Sequence, residues 1–163
     1  MYCGKAPTER DFSEFLEAPG VLGLDAFRYS LDWLLEMSRR YGAPAFSLLC
    51  LRLDYSWHTA PMPVALRNQE RELADALISR IIEMVREADR CTRTREDMLW
   101  LLLPYANAEA LMKVQQRLSA LADDCASSAF RIGLRMKGIV APLDLQVHED
   151  ADLLMTRLEG LQE

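Results

Sequence analysis

The sequence has no apolar run approaching the roughly 18 residues that a membrane-spanning helix needs. Nothing near Met1 joins a basic start to an apolar stretch in the manner of a signal peptide. Neither a membrane span nor secretion is therefore expected. Cysteine is sparse and scattered: Cys3, Cys50, Cys91 and Cys125 form no CxxC pair and show no Cys/His ligand spacing. That argues against zinc and against a disulfide framework, and for a reducing compartment, the cytoplasm. Histidine is limited to His58 and His148, too far apart to suggest shared ligation; each reads as a loop or helix-start residue. An excess of basic charge is also missing. With 19 Lys and Arg against 25 Asp and Glu, the net charge is −6, so no broad basic face exists to release counterions from a nucleic acid. An anionic ligand would have to be held by a local group of cations, and Arg86, Arg90, Arg93 and Arg95 supply one. There is no repeat and no low-complexity tract.

What is present suits one domain: 163 residues with half of them apolar, enough to close a single core. Helical spacing of Phe27, Leu31, Leu34 and Leu35 predicts a helix over 25–40, which Tyr41-Gly42-Ala43-Pro44 stops. AFSLLCLRLDYSW, 45–57, reads as a strand buried on both faces. After two prolines, 64–86 reads as a long helix with Leu66, Leu73, Leu77, Ile78, Ile81 and Val85 on one face. A short strand over 91–94, a charged turn (Arg95-Glu96-Asp97) and MLWLLLP form a hairpin. Asn107 is placed to cap a helix reaching about Leu121. FRIGLRMKGIV predicts a further strand over 130–140, and HEDADLLMTRLEGL a closing helix over 148–161. Trp57 and Trp100, on or beside strands, are expected in the core. This order implies an α+β fold of the ferredoxin-like kind, a central sheet with a β-hairpin and helices on both faces. Fold class alone assigns no function.

The middle of the chain narrows the reading. In RIIEMVREADRCTRTREDMLWLLLP, an RxxD motif (Arg86-Glu87-Ala88-Asp89) is followed by five residues, Arg90 to Thr94. Next come a hairpin reading Arg95-Glu96-Asp97-Met98-Leu99 and a strand ending in LLP. This stretch resembles the centre of a GGDEF domain, the diguanylate cyclase family. VLGLDAF resembles a shortened form of that family's opening LTGLxNRRxF, and SLLCLRLD its first strand. ALMKVQQRLSAL and DADLLMTRL resemble the helix after the hairpin and the last helix. RxxD alone is a weak motif; at this distance from the hairpin and inside these flanks it is much more specific. The resemblance spans about 18–160. It implies a GGDEF-like domain over 18–163 preceded by an N-terminal segment or linker over 1–17.

The resemblance also implies that the chain is not an enzyme. Joining two GTP molecules needs metal ions held by carboxylates and backbone that can approach phosphate closely. Arg95 and Glu96 stand where the family has its two glycines, which tolerate positive φ and carry no Cβ. Arg52 replaces the first Asp of the family's DLD strand, and Met98 replaces a carboxylate with a thioether that is no ligand for Mg²⁺. Asp97 and Asp54 remain, and read as a turn residue and a strand-end polar group. The family's guanine-reading residues are missing from HTAPMPVALRNQER. No catalytic residue, no metal ligand and no cofactor is expected.

A different site is retained. In the family, RxxD belongs to a product-inhibition site that binds cyclic di-GMP, completed by an Arg on the helix after the hairpin. Arg86, Asp89 and Arg117 (in Gln115-Gln116-Arg117) occupy those positions, with Arg90 as an additional candidate; Arg93 matches a residue beside the hairpin, where a structural role is the other reading. The chemistry is intelligible: an Arg fork matches guanine O6 and N7, and a carboxylate accepts from guanine N1–H and N2–H. The expected function is thus a catalytically inactive cyclic di-GMP receptor that regulates exopolysaccharide or biofilm output, resembling Pel-type receptors. Its expected partners are cyclic di-GMP, a second protein or domain of a signalling or polysaccharide-export system, and a second copy bridged by ligand. The alternative is a protein-interaction or dimerisation module in which RxxD is a relic.

Overall fold

A computed structural model describes residues 20–55, 61–126 and 130–162 of the chain; Cys3, Trp57, His58 and the 1–17 segment lie outside them. The elements run α1 (Leu24–Tyr41), β1 (Phe46–Asp54), α2 (Val64–Met84), β2 (Arg90–Arg95), β3 (Met98–Pro104), α3 (Ala108–Cys125), β4 (Gly133–Ala141) and α4 (Ala151–Gly160). The four strands form one sheet in the order β2-β3-β1-β4, with every neighbouring pair antiparallel. This is the interleaved β-α-β-β-α-β arrangement that the sequence predicts, with α1 added in front and α4 behind.

Burial explains why the order is stable. β1 is central and apolar on both faces because helices cover both. Leu49, Leu51 and Leu53 pack under α2 and α3 with Leu77, Ile78, Ile81, Leu101, Leu103, Leu111 and Leu118. Phe46, Leu48 and Cys50 pack under α1 and α4 with Phe27, Leu31, Trp100, Leu102, Leu154 and Leu158. Trp100 is fully buried, and its indole N–H donates to Thr94 Oγ1 at 3.3 Å. Asn107 caps α3 as expected, accepting from the Ala110 N–H at 2.9 Å. Among the described residues, no helix is long and apolar enough to cross a membrane.

Several boundaries move for physical reasons. β4 starts at Gly133 because its partner β1 ends at the opposing Asp54. α4 starts at Ala151: His148 has φ +61°, outside the helical region, and the Asp150 side chain caps the first turn by accepting from Leu153 N–H. α3 runs one turn beyond Leu121, to Cys125. Leu66, expected on the core face of α2, is 38% exposed, since the first turn precedes the point where that helix reaches the sheet. The change that matters most is at the other end of α2. The helix stops at Met84, and Val85 is extended (φ −64°, ψ 129°), so the RxxD segment is not helical.

Candidate functional site at the end of α2

Arg86 to Asp89 form a tight turn between α2 and β2. The Asp89 N–H donates to the Arg86 carbonyl at 3.0 Å, the closure of a β-turn. Asp89 Oδ2 answers by accepting from the Arg86 backbone N–H at 3.1 Å and from Arg86 Nε at 3.4 Å. The two side chains differ sharply in exposure, 66% for Arg86 and 5% for Asp89. Asp89 Oδ1 is buried and has no hydrogen-bond partner among the described residues. A buried carboxylate oxygen without a donor is costly, and native sites that keep one usually meet a donor from elsewhere.

Asp89 also lines a cavity of about 160 Å³ between the turn, β3 and α3. Arg86 and Asp89 line it from the turn, Arg117 and Lys113 from α3, and Leu101 and Leu103 from β3. The structure therefore brings Arg86, Asp89 and Arg117 to one place, although 28 positions separate Asp89 from Arg117. Arg117 is exposed and joins no ion pair among the described residues. Arg90 is placed differently. It donates to the carbonyls of Glu87 at 2.7 Å and Asp89 at 2.8 Å, bracing the turn from outside, and does not line the cavity.

Lys113 was not singled out by sequence. Its signal was available: it precedes Arg117 by four residues and so shares its helix face. Its ammonium lies 3.1 Å from Glu109 Oε1, both side chains exposed, a contact of little energetic weight that can be exchanged. The cavity thus gathers three cations against one carboxylate within a chain of net charge −6. Gly20 supports the turn from behind. It has φ +81°, and a Cβ there would stand 3.0 Å from the Asp89 carbonyl oxygen. Its own carbonyl accepts from Cys91 N–H at 2.9 Å.

The hairpin end of the sheet is built otherwise. Asp97 lies between two guanidinium groups, with Arg52 Nε 3.5 Å from Oδ2 and Arg95 Nε 3.8 Å from Oδ1. Met98 is 1% exposed and packs in the core beneath α1 and α4. Arg95 and Glu96 close the hairpin without positive φ. Asp54 accepts from Arg135 at 2.7 and 3.1 Å. Arg93, 2% exposed at its side chain, ties Asp75 to the Glu96 carbonyl and is structural. Among the described residues no group of three or more His, Cys, Asp or Glu side chains is arranged to hold a metal ion.

No family model matches the sequence, and no curated protein matches it. Solved structures do. A diguanylate cyclase (DGC) protein from Thermotoga maritima superposes with a TM-score of 0.66 at 18% identity, over 87% of this chain and 95% of its own. The GGDEF domain of DgcB from Caulobacter crescentus, solved in complex with c-di-GMP, gives 0.63 at 11% identity over 98% and 90%. Diguanylate cyclase SiaD from Pseudomonas aeruginosa, solved with its activator SiaC, gives 0.66 at 16% identity over 87% of this chain and 54% of its own. At such identities the likeness speaks for the backbone and not for chemistry. The fold of this chain is that of the GGDEF domains.

Proposed function

We propose that this protein is a cytoplasmic cyclic di-GMP receptor that binds the dinucleotide at the α2–β2 turn and does not make it. The observation that carries the reading is the meeting of Arg86, Asp89 and Arg117 at one cavity, with a buried Asp89 oxygen that lacks a donor among the described residues. Guanine N1–H and N2–H are donors of the kind that oxygen requires, and the two arginines offer forks for guanine O6 and N7 or for phosphate. The apolar floor of Leu101 and Leu103 suits the face of a base. At about 160 Å³ the cavity is well below the roughly 300–1,000 Å³ of pockets that enclose a drug-sized ligand. One base enters, and the rest of the dinucleotide lies over the rim, where Lys113 and Arg117 face its phosphates and where a second copy can meet the same ligand.

The absence of turnover rests on the hairpin end. Arg52 and Arg95 already neutralise Asp97, and Met98 is a core side chain. The output regulated would be exopolysaccharide or biofilm formation through a second protein or domain. Calorimetric titration with cyclic di-GMP, with GTP as control, tests the reading: saturable binding of the first without the second is expected. No binding at high micromolar concentration would leave the protein-interaction module as the better account.

A further inference from the structure

The face of α1 turned away from the sheet carries side chains for which the fold has no use. Phe27, Leu31, Leu34, Leu35 and Ser38 are buried. On the opposite side Tyr29 is 76% and Trp33 56% exposed. Large aromatic groups left in solvent mark contact surfaces, and Trp and Tyr dominate the energetics of such contacts. With 3.6 residues per turn, Asp25, Tyr29, Trp33, Glu36 and Arg40 fall on one stripe, spaced four, four, three and four residues apart. That spacing sets an aromatic pair between charged ends on one exposed helix face, the i, i+3 and i, i+4 placement from which side chains can meet a second helix.

The stripe is complementary to itself when reversed. Trp33 lies at the middle of the helix; at a rise of 1.5 Å per residue, Asp25 is about 12 Å to one side and Arg40 about 10.5 Å to the other. A second α1, antiparallel about a two-fold axis at Trp33, sets Asp25 of each copy beside Arg40 of the other. It also sets the Tyr29 hydroxyl beside Glu36, and Trp33 against its equivalent. A parallel arrangement would oppose Asp25 to Asp25 and Arg40 to Arg40. Asp25 joins no ion pair among the described residues. Among the described residues Arg40 pairs only with Glu36 of its own helix, at 3.0 Å with both side chains exposed, so it can serve both acids at once. Arg39 is committed to the Glu149 carbonyl and stays out of the seam. We infer that the chain forms an isologous dimer through antiparallel α1–α1 packing, without nucleotide.

Sedimentation of the nucleotide-free protein from micromolar concentration to about 1 mM, the range of weak association, is the test. The wild type should dimerise within that range. Trp33→Ala should weaken the dimer at least tenfold. Asp25→Arg and Arg40→Asp should each weaken it about tenfold, since every change acts twice across the axis. The decisive variant is Asp25→Arg with Arg40→Asp, which restores both pairs and should return to within about threefold of wild type. Both charges also suit the helix dipole where they stand, so circular dichroism must show α1 intact; Trp33→Lys, which leaves the helix ends alone, is the second disrupting variant. A strictly monomeric wild type, a dimer indifferent to Trp33 substitution, or a double swap as weak as the single changes overturns the inference.

Discussion

Replacing Asp89 by asparagine separates two tasks assigned to its carboxylate. One task is local: Oδ2 receives the Arg86 backbone N–H at 3.1 Å and faces Arg86 Nε at 3.4 Å. Asparagine keeps an oxygen for that N–H and loses only the ion pair. Because the Arg86 side chain is 66% exposed, solvent screening limits the pair to about 0–1 kcal/mol. For a chain of this size that moves the melting temperature by no more than about 4 °C. The other task belongs to Oδ1, buried without a donor among the described residues. An asparagine amide set there presents N–H groups to guanine N1–H and N2–H, donor against donor. A hydrogen bond to a charged group is worth about 1.5–3 kcal/mol, so affinity for cyclic di-GMP should fall about ten- to a hundredfold. Calorimetry and thermal melting on the same preparation give both numbers. Wild-type affinity in Asp89→Asn, or an affinity loss matched by loss of folded protein, would refute the assignment of Oδ1 to the ligand.

Three further outcomes are expected. Arg86→Ala should weaken cyclic di-GMP binding about ten- to a hundredfold by removing a bidentate fork, while Asp97→Ala leaves the calorimetric affinity unchanged. Incubation with GTP and Mg²⁺ should yield no cyclic di-GMP by chromatography, and Arg95→Gly with Glu96→Gly should still yield none, because Arg52 and Met98 remain; product from either protein would contradict the reading of the hairpin. The third concerns pH. Arg157 grips both Glu149 oxygens at 2.7 and 2.8 Å and, through those hydrogen bonds, holds the Glu149 carboxyl below the usual carboxylate range. A group whose pKa is lowered by folding stabilises above its unfolded pKa and loses that contribution as pH falls through the folded value. Glu149→Gln should therefore reduce the melting temperature at pH 7 and shrink the difference from wild type toward pH 3. An unchanged difference across that range would show the pair to be energetically idle.

Much of this architecture could be read from the sequence because local and tertiary preferences agree. The β1 run from Phe46 to Leu53 is apolar on alternate and intervening positions alike, which fits only a strand covered on both faces. Asn107 and the periodic leucines behind it specify α3 without help from elsewhere. The end of α2 was read to within two residues, at Arg86 against Met84, but the turn that follows it was not legible. Val-Arg-Glu-Ala-Asp contains no Gly or Pro, and its propensities continue a helix. What stops it is the return of Asp89 onto the Arg86 N–H, with Gly20 packed against the Asp89 carbonyl from far along the chain. The same limit applies to Arg90, whose charge suggested a ligand contact and whose guanidinium is spent on turn carbonyls. It applies again to Asp54, whose partner Arg135 lies 81 residues away. Lys113 is the opposite case: helical spacing from Arg117 was sufficient to find it.

The placement of the two ends of β2 keeps the chemistry of one end separate from that of the other. Asp89 precedes the strand and Arg95 closes it. At about 3.3 Å per residue, six steps separate them by about 20 Å. Charges that far apart near a surface lie beyond the Debye length of about 8 Å at physiological salt. The side chains do not share a packing shell either: Met98 belongs to the layer beneath α1 and α4, whereas Leu101 and Leu103, which floor the cavity, belong to the layer beneath α2 and α3. The positive charge of Arg52 is met locally, by the ion pair with Asp97, and reaches the α2–β2 turn neither as charge nor as volume. Effects at sites this distant add independently, so the residues of the hairpin end and those of the cavity beside the α2–β2 turn place no conflicting demands on the fold.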